Sequence, residues 1–197
     1  MGSMTKRTIG IRDLLRAPII IGAVALVLVG LALHRAGADD APQRGAPRMG
    51  SLATERYAEL LGVALRGDED QALLREVSSW LGTPYRGGMA QKGVGTDCSG
   101  FVQRVFADVY GIKLGRSSAD MAPQIAPVKQ QALRCGHIVL FSRGGADRVF
   151  HVGIYLGDSK FIHSASGGGR GITVSSLEEE YYAKHYYAGG PAKGMER

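Results

Sequence analysis

The chain has 197 residues, 45% of them apolar, and a formal net charge of +6 at pH 7. This length and composition suit one globular domain with an additional segment, with enough apolar material for a hydrophobic core. The charge is uneven, because residues 1–38 hold five Lys or Arg and one Asp, while the other 159 residues carry 19 basic and 17 acidic side chains. Nucleic-acid binding needs a clustered basic face, so a net charge of +2 over the body leads us to reject that class.

A basic start followed by an apolar run predicts that residues 1–38 direct export. Ala17–Leu33 is 17 residues long without a charge, slightly short of the roughly 20 that cross a bilayer and longer than the about 7–15 of a signal-peptide core. Ala36–Ala38 has the small-x-small form that signal peptidase recognises. Cleavage after Ala38 and retention as a membrane anchor, basic end in the cytoplasm, both stay open. Either way the body is exported to the periplasm or cell envelope.

The next segments predict a linker and two helices. Residues 39–53 are rich in Pro, Gly and small residues, which is typical of a mobile linker. Helical periodicity follows at 54–66 and again at 70–82. The apolar face of the second helix comprises Leu73, Leu74, Val77, Trp80 and Leu81. A loop then runs to Thr96.

One of the two cysteines stands at the predicted start of a further helix. Residues 96–101 read TDCSGF, and apolar side chains recur at helical spacing as far as Val109. This pattern predicts a helix from about Cys98 to Tyr110, with Thr96 or Asp97 as its N-cap. Cys98 would lie among unpaired backbone N–H groups at the positive end of the helix dipole, which favours the thiolate and lowers the thiol pKa. We expect a nucleophile here; the alternative is a buried, inert cysteine.

The downstream sequence predicts strands that carry two histidines. Residues 136–142 read as a buried strand, and residues 150–166 alternate as a β-hairpin with a turn at 157–159. Nucleophilic catalysis needs a base and a group that orients the base. We therefore predict one unit in which Cys98 is the nucleophile, His151 the general base and then acid, and His163 the residue that orients His151.

Whether the two imidazoles meet depends on the hairpin register. With a two-residue loop, His163 would lie opposite Ile154 and face away from His151. With a three-residue loop centred on Asp158, it would lie opposite Gly153 and share the face of His151, within reach of it. We predict the second register, in which Gly153 leaves room between the rings. A zinc site is a further alternative, but these residues lack the usual ligand spacing.

Five sequence blocks, taken together, resemble the catalytic domain of the NlpC-type cell-wall peptidases: PYRGG, TDCSGFVQRVF, GRSS, HVGIYLGDSKFIHSAS and YYAKHYYAG. The resemblance covers roughly residues 70–190 and leaves 39–69 as linker and short helix and 191–197 as a tail. It implies an α+β, papain-like fold in which helices flank an antiparallel sheet and the nucleophilic Cys begins a helix. The permuted acyltransferase branch is disfavoured because it would place the His first.

The resemblance also implies roles for particular residues. The catalytic triad would be Cys98, His151 and His163. The substrate groove would be lined by Tyr85, Asp97, Ser99 and Arg116. Tyr85 would reach toward the thiolate, and Asp97 and Ser99 would lie near the amino end of a stem peptide.

The chain departs from the family pattern at two positions. His137 stands where an Asp usually follows Gly136, and Met121 stands about where a Gln usually lies. We expect His137 to be a surface residue in place of a turn acid, and both changes to affect substrate choice rather than catalysis. We expect Cys135 to be a buried thiol outside any disulfide, and His185 to lie in an edge strand or lid.

The resemblance implies hydrolysis of an amide in a peptidoglycan stem peptide, at the D-glutamyl–diamino acid bond, or in a cross-link, through a thiolate and an acyl-enzyme. No cofactor or metal is expected. Targeting would come from the N-terminal segment, as a membrane contact if uncleaved, or from an envelope partner protein. The alternative is a non-catalytic module on the same fold that binds wall peptides or acts as an envelope-assembly scaffold.

Overall fold

A computed structural model of the chain describes residues 49–67, 70–167 and 171–195. Backbone contacts divide the chain into 1–46 and 47–197, and every described residue belongs to the second unit. The predicted export segment and most of the predicted linker lie outside the described residues. None of the helices described is long and apolar enough to cross a membrane.

Two helices open the described part of the chain, α1 (Met49–Leu61) and α2 (Gln71–Ser78). Helix α1 begins five residues earlier than the periodicity predicts, so residues 49–53 are helical and not linker. It ends before Gly62, which has a φ of 64°, a left-handed conformation that closes helices and that Gly adopts at little cost. The predicted extension to residue 66 is therefore wrong.

Helix α2 starts where the sequence indicates and stops early. The carboxylate of its N-cap, Asp70, accepts the N–H of Ala72 at 2.9 Å, which satisfies one of the unpaired donors of the first turn. Because α2 ends at Ser78, Leu81 leaves the predicted apolar face and is 37% exposed. The other four members of that face are buried.

Helix α3 (Cys98–Tyr110) agrees with the predicted boundaries, with Asp97 as N-cap and Gly111 as a left-handed C-cap. The loop before it contains a short antiparallel ladder of β1 (Ala90–Gln91) and β2 (Gly95–Thr96). Helix α4 (Ser118–Met121) follows α3.

The rest of the chain forms a five-stranded antiparallel sheet in the order β6-β5-β4-β3-β7. Its strands are β3 (Ile138–Ser142), β4 (Val149–Gly157), β5 (Lys160–Ala165), β6 (Gly171–Ser176) and β7 (Tyr186–Gly190). A last helix, α5 (Glu180–His185), precedes β7, so the terminal aromatic segment does supply an edge strand.

Successive residues of the strands pack alternately in two apolar clusters, because they point to opposite faces of the pleated sheet. Val152, Ile154 and Leu156 of β4 pack in the larger cluster with the buried faces of α2 and α3. Tyr155 packs in the smaller cluster with Phe141 and Phe161. The strand that carries His151 is thus central in the sheet and packed in both clusters, which holds the imidazole on a rigid support.

Candidate active site

Cys98 occupies the first position of α3. The N-cap Asp97 accepts the N–H of Gly100 at 2.7 Å, and backbone N–H groups of Val152, Ser99 and Cys98 itself interact with the sulfur. Val152 directly follows His151 in β4. The contact of the Val152 N–H with the Cys98 sulfur therefore places the sulfur next to the strand that carries the His151 imidazole.

The ionisation of Cys98 differs from the sequence-based expectation. Burial raises the pKa of the Cys98 thiol above its ordinary value of 9.0, and the negative charge of Asp97 raises it further. The three backbone N–H groups act in the opposite direction, but they do not outweigh the cost of placing a charge in a poorly solvated site. The predicted lowering of this pKa is therefore wrong, and the resting side chain is a neutral thiol.

The hairpin brings the two histidines together by a different route from the one predicted. Gly157 pairs with Lys160, so the turn has two residues, Asp158 and Ser159, with φ of 47° and 59°. A β-bulge between Tyr155 and Gly157 then shifts the register by one residue. The shift has the same effect as a three-residue loop, so the predicted facing is correct and the predicted loop length is wrong.

The imidazoles of His151 and His163 are joined directly. His151 Nε2 lies 2.8 Å from His163 Nδ1, and the rings are perpendicular at 89°. Gly153 leaves the room for this contact, since a Cβ at that position would lie 3.2 Å from His163 Cβ. Nδ1 is the ring nitrogen of His151 that this contact does not use.

His163 is 0% exposed, and two hydroxyl groups lie at its other ring nitrogen. Ser175 Oγ is 3.2 Å and Tyr182 Oη 3.3 Å from His163 Nε2. Each hydroxyl oxygen can accept a hydrogen bond from an Nε2–H, and in the tautomer that carries this N–H, Nδ1 of His163 can accept an N–H of His151. Sequence reasoning missed both hydroxyls, because they belong to β6 and α5, which meet His163 only in the folded chain.

Both imidazoles are neutral at pH 7. Burial lowers the pKa of His151 from 6.5 to about 4. Burial, and then repulsion from the charge that His151 carries when it is protonated, lowers the pKa of His163 to about 3. Since two imidazolium ions cannot share one dry site, a proton taken up by this pair is held by one ring at a time.

Tyr85 lies at the same site. Its backbone forms a bridge to Thr96, next to the start of α3, and its side chain lines the cavity of Cys98. Burial raises the pKa of the Tyr85 phenol, and the charge that Cys98 carries as a thiolate, together with that of Asp97, raises it further. The hydroxyl therefore stays protonated and is a hydrogen-bond donor beside the sulfur.

Three residues assigned to the substrate groove form a compact network instead of lining the cavity. Arg116 binds both carboxylate oxygens of Asp97, at 2.9 and 2.7 Å, and its Nη1 also lies 3.0 Å from Ser99 Oγ. Asp97 accepts the N–H of Gly88 as well, at 2.7 Å. Burial alone would raise the pKa of Asp97, but the hydrogen bonds from Arg116, Gly100 and Gly88 hold it below its ordinary 3.8. This network fastens the loop of Gly88 to the helix that presents Cys98.

The cavity has a volume of about 370 Å³. It brings together Tyr85, Cys98, His151 and His163 with Arg143, Phe150, Ala165, Ser166, Gly167, Tyr181 and Tyr182. The two tyrosines come from α5, in the segment expected to be an edge strand or lid. Arg143 and Phe150 were not identified from the sequence, which holds no local signal for them.

The two departures from the family pattern lie away from this cavity. His137 Nδ1 accepts the N–H of Arg134 at 3.2 Å, and the N–H of His137 donates to Arg134 O, so His137 does hold a turn. It is half-buried, and burial, then the charge of Arg134, lowers its pKa. Met121 is fully buried in the core. Cys135 is half-buried and is not joined to Cys98.

Within 49–67, 70–167 and 171–195, no group of three or more His, Cys, Asp or Glu side chains is placed to hold a metal ion. The cavity brings together a thiol, a neutral imidazole, a second imidazole in hydrogen-bond contact with the first, and the hydroxyl of Tyr85. This combination suits nucleophilic attack on a carbonyl carbon.

Comparison with known proteins agrees with this reading. The family model described as NlpC/P60 matches residues 82–190. The murein DD-endopeptidase MepS/murein LD-carboxypeptidase of Escherichia coli K12 is 30% identical over 174 residues, 85% of this chain and 89% of the relative. The probable endopeptidase NlpC homolog of Haemophilus influenzae is 37% identical over 136 residues, 68% of this chain and 66% of the relative.

The fold agrees as well. A crystal structure of an NlpC/P60 family protein from Bacillus cereus superposes with a TM-score of 0.57 at 28% identity, covering 61% of this chain and 39% of that one. The predicted family and the predicted α+β, papain-like fold are confirmed. The chain belongs to the NlpC/P60 family.

Proposed function

We propose that this chain is a cysteine peptidase that hydrolyses an amide bond in the peptide part of peptidoglycan, with Cys98 as nucleophile and His151 as general base. The observation that carries the proposal is the 2.8 Å contact between His151 Nε2 and His163 Nδ1, within the cavity that Cys98 also lines. The names of the relatives supply the substrate class, since the Escherichia coli relative is a murein endopeptidase.

The reaction starts from a neutral thiol and a neutral imidazole. His151 Nδ1 takes the thiol proton as the Cys98 sulfur attacks the carbonyl carbon, and an oxyanion forms on the carbonyl oxygen. The N–H of Cys98 and the protonated hydroxyl of Tyr85 are the donors for this oxyanion. His151 then gives its proton to the departing amine, and a thioester remains on the sulfur.

Water completes the cycle by the same groups. His151 takes a proton from the water that attacks the thioester, and returns it to the sulfur as the acid product leaves. Throughout, His151 Nε2–H donates to His163 Nδ1, so the ring carries charge transiently without changing its orientation. His163 supports this because its low pKa keeps it neutral and its Nδ1 stays an acceptor.

Of the bonds that the sequence leaves open, we assign the cross-link between D-alanine and a diamino acid. The support is the Escherichia coli relative, of which the chain covers 89% and which is named a DD-endopeptidase. The D-glutamyl–diamino acid bond is the second assignment, and product masses separate the two.

Such a substrate places the protein in the bacterial cell envelope. The basic, apolar segment at residues 1–38 supports export, as a cleaved signal or as a retained anchor. An envelope partner could add targeting. A binding or scaffold module on the same fold differs in one testable respect, since it would leave peptidoglycan uncut.

The test is incubation of the full chain with purified peptidoglycan, followed by mass spectrometry of the soluble products. We expect new amine and carboxyl termini with the wild type, none with Cys98→Ala, and unchanged products with Cys135→Ser as the matched control. Products that persist in Cys98→Ala would overturn the assignment of the nucleophile. No products from the correctly folded wild type would overturn the enzymatic function in favour of the binding module.

A further inference from the structure

Arg143 lines the active-site cavity, and it lies in a loop with a defined shape. It follows β3 directly, and its N–H donates to Arg148 O at 3.3 Å. The hydroxyl of Ser142 donates to Gly145 O at 2.6 Å and accepts the N–H of Gly144 at 2.9 Å. These contacts close the loop on itself, so the backbone that carries Arg143 is fixed relative to the sheet.

The Arg143 side chain is held on the strand of the proposed base. Its guanidinium carbon lies 4.4 Å from the centroid of the Phe150 ring, a distance that suits a cation–π contact. Phe150 precedes His151, and its ring also meets His185 edge-on at 5.6 Å. Stacking uses the flat face of the guanidinium and leaves the N–H donors at its edge available to a ligand.

The charge of Arg143 is not balanced by an acid. Four ion pairs occur among the described residues, and Arg143 belongs to none of them. Asp147, in the same loop, makes none of these pairs either. A second cavity, which Arg143 also lines, adds Lys184, a second cationic side chain near Arg143.

An unpaired guanidinium beside neutral catalytic groups has one natural class of ligand. Its planar donors match the two oxygens of a carboxylate and bind them together. Cys98, His151 and His163 are neutral at rest and offer an anion no competing attraction. Peptidoglycan stem peptides carry carboxylates on D-glutamate, on some diamino acids and at their ends, close to the amide bonds that a peptidase would cut.

From this geometry we infer that Arg143 binds a carboxylate of the peptide substrate and so selects substrates with a free acid next to the scissile amide. The inference rests on the proposed function, because it assigns the ligand of one residue that lines that same cavity. Arg143 is then a specificity residue, which touches substrate without taking part in proton transfer.

The test compares Arg143→Gln and Arg143→Lys with Arg148→Gln, a matched change at an exposed arginine of the same loop. The substrates are cross-linked stem peptides with all carboxylates free, the same peptides amidated at D-glutamate, and the same peptides amidated at the diamino acid. For Arg143→Gln we expect kcat/KM on the free acid to fall about 10- to 100-fold, as for loss of a charged hydrogen bond, mainly through KM. On the amidated peptide that lacks the carboxylate bound by Arg143, we expect Arg143→Gln to lower kcat/KM little. On the free acid, we expect Arg143→Lys to lower kcat/KM partially and Arg148→Gln to leave it unchanged.

Binding to Cys98→Ala, measured by calorimetry with and without Arg143→Gln, separates this inference from the proposed function. If Arg143→Gln weakens binding of the free acid alone, the inference holds even where the wild type cuts nothing. Equal losses on free and amidated peptides, no loss on either, or no binding of any of these peptides would overturn it.

Discussion

Replacing Gly153 with Ala should push the imidazoles of His151 and His163 apart without removing any of the proposed catalytic side chains. An added Cβ would lie 2.7 Å from Phe161 Cδ2, 3.0 Å from Ile162 O and 3.2 Å from His163 Cβ, whereas ordinary contacts begin at 3.4 Å. The Phe161 ring alone would have to move by about 0.7 Å, the difference between 2.7 and 3.4 Å. Gly153 lies in the central strand of the sheet, so its backbone has little freedom to yield.

The neighbours of Phe161 cannot take up this displacement without cost. Phe161 is 0% exposed, and its ring centroid lies 4.8 Å from that of His163 and 4.9 Å from that of Tyr182. Overpacking of this kind costs about 1–3 kcal/mol of stability. A shift of His163 also lengthens its 2.8 Å contact with His151, and because misplacement by about 1 Å can cost 10²-fold in rate, we expect kcat to fall about 10- to 100-fold with little change in KM.

The assay is hydrolysis of a soluble cross-linked stem peptide, run beside urea unfolding so that rates are compared only where each variant is folded. Gly87→Ala is the matched control, because a Cβ there meets nothing within 4 Å, and we expect it to match the wild type. A folded Gly153→Ala protein with the wild-type kcat would refute the argument that the two rings act as one unit.

Three further changes test other parts of the site. The pKa values of His151 and His163 are lowered to about 4 and about 3, so below pH 6.5 the unfolded chain binds more protons than the folded one. The free energy of unfolding should therefore fall between pH 6.5 and 5 by about 2 kcal/mol per histidine. Urea unfolding of His163→Gln should show a smaller fall than the wild type. Cys135→Ser should leave kcat/KM for the same peptide unchanged, and a large loss would mean that this thiol has a part in the reaction. Arg116→Gln should destabilise the fold by about 1–3 kcal/mol, because Asp97 loses two hydrogen bonds. In that variant the pKa of Asp97 should rise toward its ordinary value, so the free energy of unfolding should fall less between pH 4 and lower pH. A fall over that range as large as in the wild type would contradict this role of Arg116.

Local sequence was enough to predict the parts of the site that depend on neighbouring residues. The helical spacing after Cys98 gives the bounds of α3 and limits the N-cap to Thr96 or Asp97, since both depend on contacts within one or two turns. The structure shows that the N-cap is Asp97. The alternation through residues 150–166 likewise predicts which residues of β4 face the core. The motif blocks then identify the family.

The register of the hairpin shows where local reasoning stops. The predicted facing of His151 and His163 is correct, but the sequence suggests a longer loop where the protein uses a two-residue turn and a β-bulge. A third loop residue and a β-bulge each shift the register by one residue, so either one places His163 on the face of His151. A pattern that reports only which side chains share a face cannot tell them apart.

What only the tertiary structure decides is the chemistry of the groups that the sequence identifies. The helix N-terminus at Cys98 is visible in the sequence, whereas the burial that outweighs it and raises the thiol pKa comes from packing against β4. The hydroxyls of Ser175 and Tyr182 that face His163, and the position of Arg143 over Phe150, each join different elements of the fold and carry no local sequence signal. Periodicity and capping act over a few residues, but solvation and charge depend on every segment packed around a group, so protonation states and substrate contacts follow from the fold.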